Sequence, residues 1–96
     1  MNEVRVRSTG PHEYTVEVHD GAEEPITCHR VRVDERVLDD LSIVEPDRGI
    51  EEWLVRESFG FLLDREPADK IHTRFDLSAI TGHFPEYLQE MSSRLA

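Results

Sequence analysis

The sequence lacks most of the features that identify a function on their own. It has one cysteine, Cys28, so no intrachain disulfide can form, and this favours a reducing, cytoplasmic setting. Its glycines are isolated from one another, so there is no glycine-rich phosphate loop. Charged residues interrupt every apolar stretch, and we therefore expect neither a signal peptide nor a membrane-spanning helix. These absences predict a soluble cytoplasmic protein.

Positive charge is also scarce, because 11 basic residues stand against 21 acidic ones and give a net charge of −10. Lys70 is the only lysine, so nearly all of the positive charge is arginine. A chain with this balance is not expected to bind a nucleic-acid backbone or an anionic membrane directly, since phosphate binding needs clustered basic residues. The acidic surface either keeps the protein soluble or faces a basic protein partner.

The length of 96 residues suits one domain with one hydrophobic core and leaves no material for a second. No internal repeat, low-complexity run or flexible linker divides the chain. We therefore treat residues 1–96 as a single domain.

Alternating apolar and polar residues predict two strands in the first 20 residues. The apolar members of this pattern are Val4, Val6, Tyr14, Val16 and Val18. A Gly-Pro pair between the two strands favours chain reversal. An antiparallel hairpin with all of these valines on one face sets Val6 opposite Val16, and it also sets Arg5 opposite Glu17.

A third strand is predicted from Ile26 to Val33, but its apolar residues conflict with one another. Ile26 and Cys28 share one face of an ideal strand, whereas Val31 and Val33 share the other. A bulge near His29 or Arg30 would reconcile the two faces. The alternative is a regular strand in which the inward residues are Thr27, His29, Val31 and Val33. Either arrangement gives a three-stranded meander with one apolar face.

The stretch from Ile50 to Leu63 is predicted to form the long central helix of the domain. At about 100° per residue its apolar side chains cover more than half of the helix circumference, so the helix should be covered on two sides. Asp47 or Gly49 can cap its N-terminus, and Pro67 ends it.

Shorter helices are predicted before and after the central helix in the chain. Asp34 can cap the first of them, Asp76 can cap a later turn that Gly82 stops, and Pro85 can begin the last. The C-terminal helices are too short to be stable alone, so they must dock on the central helix. The predicted fold class is α+β, with a three-stranded antiparallel N-terminal meander packed on a long central helix and followed by short C-terminal helices.

The region from residue 50 to residue 90 contains LVRESFGFLLDREP followed by ADKIHTRFDLSAITGHFPEY. This pattern resembles a group of small uncharacterised prokaryotic proteins that share a phenylalanine-rich helix, an Arg-Glu-Pro stop, and FDL and FPEY-like C-terminal elements. His83 stands before Phe84 where that group has an aromatic residue. The resemblance implies a stand-alone small domain, and it carries over no activity, cofactor or site residue.

The histidines invite interpretation as a metal site, but their spacing does not support one. They are His12, His19, His29, His72 and His83. No two of them have the spacing of a helical zinc-ligand pair, and there is no Cys-x-x-Cys motif. We therefore expect no metal and no cofactor, and we treat these histidines as scattered surface residues.

Catalytic groups are equally hard to find. Cys28 is expected to be a small core side chain, and His29 points to the other side of an ideal strand, which excludes a Cys-His dyad. Neighbouring carboxylates such as Glu51 and Glu52 diverge on a helix, so we treat them as solvated charge. The chain is not expected to be an enzyme.

The most unusual residue is Trp53, because helical spacing places it in the polar sector of the central helix. A second aromatic cluster includes Phe84 and Tyr87. Its structural interpretation makes Phe84 an anchor and leaves the Tyr87 hydroxyl pointing outward. The functional interpretation is an exposed patch that contacts a protein. The predicted contact residues are Trp53, Arg56, Glu57, Gly60, Phe84 and Tyr87.

The resulting hypothesis is a small acidic protein-interaction module of unknown partner, with self-association as a homodimer as one mode. One alternative is a small-molecule or metal-binding protein, or a weak enzyme, that uses a cleft between sheet and helices near His29 and His72. Another is an antitoxin-like or inhibitor protein whose acidic helices bind a basic partner.

Overall fold

The structure is a computed structural model that describes residues 3–21 and 23–95. Its strands are β1 (Glu3–Gly10), β2 (Glu13–His19), β3 (Thr27–Arg32) and β4 (Arg74–Asp76). Its helices are α1 (Glu35–Asp40), α2 (Arg48–Leu63), α3 (Ile80–His83) and α4 (Tyr87–Leu95), with short 3₁₀ turns at Ala68–Lys70 and Leu77–Ala79. The strands form one sheet in the order β1-β2-β3-β4.

The predicted register of the N-terminal hairpin is confirmed. Val6 lies opposite Val16, and Arg5 lies opposite Glu17. This pairing turns the valines of both strands toward the core, where Val16 and Val18 are fully buried. A one-residue slip would have turned the same valines toward water, which is why the apolar pattern fixes the register.

Strand β3 is regular, so the second of the two predicted arrangements is correct. Its pairing with β2 runs without a shift from Glu13 opposite Arg32 to Val18 opposite Thr27. His29 and Val31 face the core, whereas Ile26 precedes the strand and is 47% exposed. No bulge forms; His29 lies opposite Val16, and its buried ring is hydrogen-bonded to the His72 carbonyl and the Thr27 hydroxyl.

The prediction of three strands is wrong by one, because the sheet has a fourth. Strand β4 pairs parallel to β3, with Arg74 beside Arg30 and Phe75 beside Val31, so the sheet is mixed. The strand has only three residues and one apolar side chain, which is too little for an alternating pattern. Phe75 supplies its anchor by packing 6.0 Å from the ring of Phe59 on α2.

Helix α2 has 16 residues and is covered on two sides, as its wide apolar sector predicts. Its N-cap is Asp47, whose side chain accepts a hydrogen bond from the Ile50 N–H at 2.8 Å. On the sheet side, the ring of Phe59 lies 5.2 Å from that of His29. On the opposite side, Phe61 lies 5.4 Å from Tyr87 of α4. The core therefore continues through α2 from the sheet to the C-terminal helices.

The short elements differ from their predicted ends. Asp34 occupies the N-cap position of α1 but makes no side-chain cap; its Oδ1 instead accepts from the Ser78 N–H at 3.1 Å. Gly82 lies inside α3, not after it, and α4 begins at Tyr87, two residues beyond Pro85. Asp34 thus ties the region after β3 to the C-terminal region, a contact between residues 44 apart that local pattern cannot reveal.

Tyr87 does not turn its hydroxyl outward, and that expectation is wrong. The residue is fully buried, and its hydroxyl lies 2.6 Å from the Ser58 Oγ of α2, which is also fully buried. A serine in the middle of the apolar sector of α2 needs such a partner, since a buried hydroxyl without one is costly.

We predict that Tyr87→Phe and Ser58→Ala each lower the free energy of unfolding by about 1–3 kcal/mol, because each leaves one buried hydroxyl without a partner. The double variant should cost less than the sum, since neither hydroxyl remains. Urea unfolding of the four proteins measures this. Additivity to within about 0.5 kcal/mol would contradict the hydrogen bond.

Candidate functional site

Four of the predicted contact residues form one strip along α2. This α2 strip consists of Trp53, Arg56, Glu57 and Gly60. On one flank, the Arg56 Nη1 donates to the backbone oxygen of Val4 at 3.2 Å. On the other flank, the Arg94 Nη1 of α4 lies 3.5 Å from the Glu57 Oε1. The strip therefore lies between β1 and α4, and helical spacing puts Trp53 and Gly60 along its middle.

The other two predicted contact residues are not on the α2 strip. Phe84 is half-buried and packs edge-on against Phe61 at 5.8 Å, on the covered side of α2. Tyr87 is the first residue of α4, and it is fully buried and offers no surface. Both residues stabilise the docking of the C-terminal helices, as the structural interpretation holds for Phe84.

Strand β1 is the longest strand in the described part of the chain and lies at one edge of the sheet. The direction of its backbone groups follows from β2. His12 directly precedes β2, and its carbonyl accepts from the Val33 N–H, directly after β3, at 2.8 Å. The backbone groups of the even-numbered residues of β2 therefore bond toward β3. Odd-numbered residues of β2 then bond toward β1. By the same alternation, the residues of β1 whose backbone groups point away from the sheet are Val4, Val6 and Ser8.

These outward backbone groups, which we call the free edge of β1, are only partly protected. Arg56 donates to the carbonyl of Val4. Within residues 3–21 and 23–95, the N–H and carbonyl of Val6 and Ser8 have no hydrogen-bond partner at the edge. An open edge of this length is a ready template for pairing with another strand.

A second site was missed by the sequence analysis. Glu51, in the first turn of α2, is only 3% exposed. The Tyr14 hydroxyl donates to its Oε1 at 3.0 Å, and the His12 Nδ1 lies 2.5 Å from its Oε2. The expectation that Glu51 is solvated charge is therefore wrong. The turn of the β1–β2 hairpin folds over the start of α2 and covers the carboxylate.

His12 is held in an uncommon backbone conformation, with φ at 60°. Positive φ is uncommon for residues other than glycine, and histidine is one of the types that adopts it more readily. The conformation directs the ring to Glu51 while 55% of the side chain stays exposed. Glu51 engages the Nδ1, so the Nε2 is left for solvent or a bound molecule.

The His12 ring borders a groove of about 490 Å³. Its other lining residues include Ser8, Pro11, Pro46, Asp47 and Arg48. A histidine oriented by a carboxylate can exchange a proton with a molecule in such a groove. The same contacts also fix the N-terminus of α2 against the hairpin, which is a structural role. No signal in the sequence pairs His12 with a residue 39 positions away.

His29 and His72 do not line the one common cleft that the sequence analysis predicted. The His29 Nδ1 donates to the backbone oxygen of His72 at 2.8 Å, and the Thr27 hydroxyl lies 2.9 Å from the Nε2. His29 is 3% exposed and both of its ring nitrogens are occupied, so it is a structural residue. His72 instead borders a separate cavity of about 410 Å³, in which its ring lies 5.9 Å from that of His83.

The metal interpretation gains no support from the geometry. Within the described ranges, no group of three or more His, Cys, Asp or Glu side chains could hold a metal ion. His19 pairs with Glu17 at 3.1 Å.

Cys28 is exposed, not a core side chain as expected, because β3 is regular and directs it to the open face of the sheet. His29 points to the opposite face, as predicted.

None of the described helices is long and apolar enough to cross a membrane.

No family model matches the sequence, and no curated protein and no solved structure is significantly similar to it. The resemblance to a group of small prokaryotic proteins therefore stays a prediction, and the function rests on the geometry of this chain alone.

We predict that Glu51→Ala lowers the free energy of unfolding by about 1–3 kcal/mol, because it leaves the buried Tyr14 hydroxyl without its acceptor. The matched control is Glu52→Ala on the next residue. Glu52 is partly exposed and pairs with Arg56 at 3.3 Å, so its loss should cost at most about 0.5 kcal/mol. Equal losses for the two variants in urea unfolding would contradict the buried network.

Both tyrosines should titrate late in the folded protein. Burial raises the pKa of Tyr14 and that of Tyr87 to about 12 from 10.0, and the hydrogen bond to Glu51 adds to the effect at Tyr14. A folded-state pKa above the unfolded value means that this stabilisation is complete below pH 10 and is lost as the pH rises toward 12. Tyrosinate absorbance measures it, and native titration of either residue near pH 10 would contradict its burial.

Proposed function

We propose that this protein is a small interaction module that associates with a second copy of itself through the free edge of β1. The observation that carries the proposal is the pair of unpartnered, outward backbone sites at Val6 and Ser8, bordered by the α2 strip. Strand addition at such an edge supplies main-chain hydrogen bonds, and neighbouring side chains supply specificity. The partner strand would continue the sheet and make it eight-stranded across the dimer.

One antiparallel register suits two copies of β1 best. It sets Val4 of one copy opposite Val6 of the other, so that the outward groups of both bond to each other. The same register sets Glu3 opposite Arg7 twice, and these are attractive cross-strand pairs. In this register Arg5 of one copy lies opposite Arg5 of the other, on the two-fold axis of the dimer. Within each chain, Glu3 lies 3.4 Å from Arg5 and offsets its charge. A register centred on Val6 would instead set Arg5 opposite Arg7 twice.

The α2 strip gives the dimer a second contact. Because Arg56 reaches the Val4 carbonyl, this sector of α2 overhangs the free edge. A paired strand would present its own Val4 and Val6 beneath the half-buried Trp53. Arg56 would release the carbonyl to the incoming strand and keep its contact with Glu52 at 3.3 Å. The net charge of −10 opposes association, so moderate salt should strengthen the dimer.

We predict that sedimentation equilibrium under reducing conditions, which exclude a disulfide through Cys28, detects a dimer of the wild-type protein. Arg7→Glu places a carboxylate opposite Glu3 of the other copy and should weaken the dimer on the order of 10-fold. The double variant Glu3→Arg with Arg7→Glu restores the pairing and should restore the dimer. Arg36→Glu on α1 makes the same charge change away from β1 and serves as the control.

A backbone variant tests the same edge independently. Val6→Pro removes an outward N–H that the β1–β2 ladder does not use, and it should abolish dimerisation, whereas Val6→Ala keeps that donor and should retain the dimer. A wild-type monomer at all concentrations would contradict the proposal. So would a failure of the charge-reversed double variant to recover, whatever the stability of Val6→Pro.

A second candidate function is small-molecule binding in the cavity beside His72 and His83. Its volume of about 410 Å³ lies within the range typical of ligand pockets, and six of its lining residues are apolar. The apolar lining residues are Leu62, Ile71, Phe75, Ala79, Ile80 and Phe84. A stoichiometric small molecule that copurifies with a monomeric protein would favour this function over self-association.

A further inference from the structure

The face of the sheet opposite α2 carries an unusual share of the positive charge of this acidic chain. Residues that alternate with the buried ones point to this open face. Its charged members are Glu3, Arg5, Arg7, Glu13, Glu17, Arg30, Arg32, Arg74 and Asp76. Five of the 11 basic residues of the chain thus lie on one face, with four acidic ones. The face has a slight positive balance, whereas the whole chain carries −10.

Three of these arginines form a line across all four strands. Arg7 on β1 pairs with Thr15 on β2, Thr15 pairs with Arg30 on β3, and Arg30 pairs with Arg74 on β4. We call this line the arginine row. With neighbouring strands about 4.8 Å apart, the row is about 14 Å long. Arg7 stands alone at one end, and Arg30 and Arg74 are direct neighbours at the other. The sequence hides it because its members come from strands far apart in the chain.

The arginines of the row make no ion pair among the described residues. In the described ranges, no ion pair involves Arg7, Arg30 or Arg74, although arginines elsewhere pair with carboxylates. Arg30 and Arg74 are direct cross-strand neighbours, and like charges in such positions destabilise a sheet. Glu13, Glu17 and Asp76 lie at neighbouring positions of the same face without pairing to the row, so its three guanidinium groups can bind carboxylates of another molecule.

We propose that the open face of the sheet binds an acidic helical segment of another protein through the arginine row. The backbone groups inside the sheet are already paired, so a segment lying on the face must satisfy its own hydrogen bonds, as a helix does. Carboxylates at positions i, i+4, i+7 and i+11 lie on one face of a helix and span about 16 Å, which matches the row. This surface meets the free edge of β1 at Arg7, which the dimer register sets opposite Glu3 of the other copy. Arg30 and Arg74 lie away from that edge, and the proposal does not rest on self-association.

A nucleic acid fits the same surface less well. Among the described residues, the open face presents no exposed aromatic ring on which a base could stack, since His19, which shares this face by register, is only 3% exposed. Glu13 and Asp76 flank Arg32 in the neighbouring row and would repel a continuous phosphate backbone. Separate carboxylates on a helix can meet the arginines and avoid these two groups.

The test uses a fluorescent alanine- and glutamine-rich helical peptide with glutamate at positions i, i+4, i+7 and i+11. The matched peptide has the same composition with its glutamates distributed around the helix. We predict that the first binds the full chain with a Kd below about 1 mM at low salt, measured by anisotropy, and that the second binds more weakly. Salt should weaken the complex.

Protein variants separate the arginine row from overall charge. Arg30→Glu should lower the affinity on the order of 10-fold, and Arg30→Gln by less, whereas Arg36→Glu on α1 should change it less than about 2-fold. Circular dichroism confirms that each variant is folded. The proposal is overturned by absence of binding to the wild-type chain, by equal binding of the two peptides, by an equal effect of Arg36→Glu, or by tighter binding of a thymidine oligonucleotide.

Discussion

The packing of α2 between the sheet and α4 is the constraint on which the rest of the structure depends. Phe59 packs on the sheet side and Phe61 on the α4 side, and Ser58 bonds to Tyr87 between them. A helix buried on two sides needs a fixed rotation about its axis. Glu51 supplies part of that restraint, since its carboxylate is bonded by the hairpin at the first turn. The α2 strip is the sector that this rotation leaves partly exposed.

The same constraint decides which surfaces remain for partners. Because α2 covers only one face of the sheet, the other face stays open and displays the arginine row. Helix α2 packs beside β1, but it bonds to the β1 backbone only where Arg56 donates to the Val4 carbonyl, so the outward groups of Val6 and Ser8 stay unpaired. Two distinct surfaces thus arise from one packing arrangement, one made of backbone groups and the other of guanidinium groups. An overall charge of −10 conceals the second, since net charge does not report how charges are distributed over a fold.

Much of the fold can be predicted from the sequence, because alternation and helical spacing are strong over β1, β2 and α2. The register of Val6 with Val16 follows from burial alone. Strand β4 could not be predicted, since a three-residue strand is specified by its neighbour and not by its own pattern. The candidate sites likewise include some residues that the sequence indicates and others that only the assembled fold brings together. Trp53 and Arg56 stand out from helical spacing, whereas the contact between His12 and Glu51 and the alignment of Arg7 with Arg30 exist only after the strands and α2 are assembled.

The most direct measurement for the central claim is residue-resolved amide hydrogen exchange of β1 at several protein concentrations. The N–H groups of Arg5 and Arg7 belong to the β1–β2 ladder and should be protected at every concentration. The N–H of Val6 points to the free edge, so it should exchange rapidly in dilute protein and become protected as the concentration rises. Rapid exchange of Val6 at all concentrations, or protection that does not depend on concentration, would contradict association through this edge.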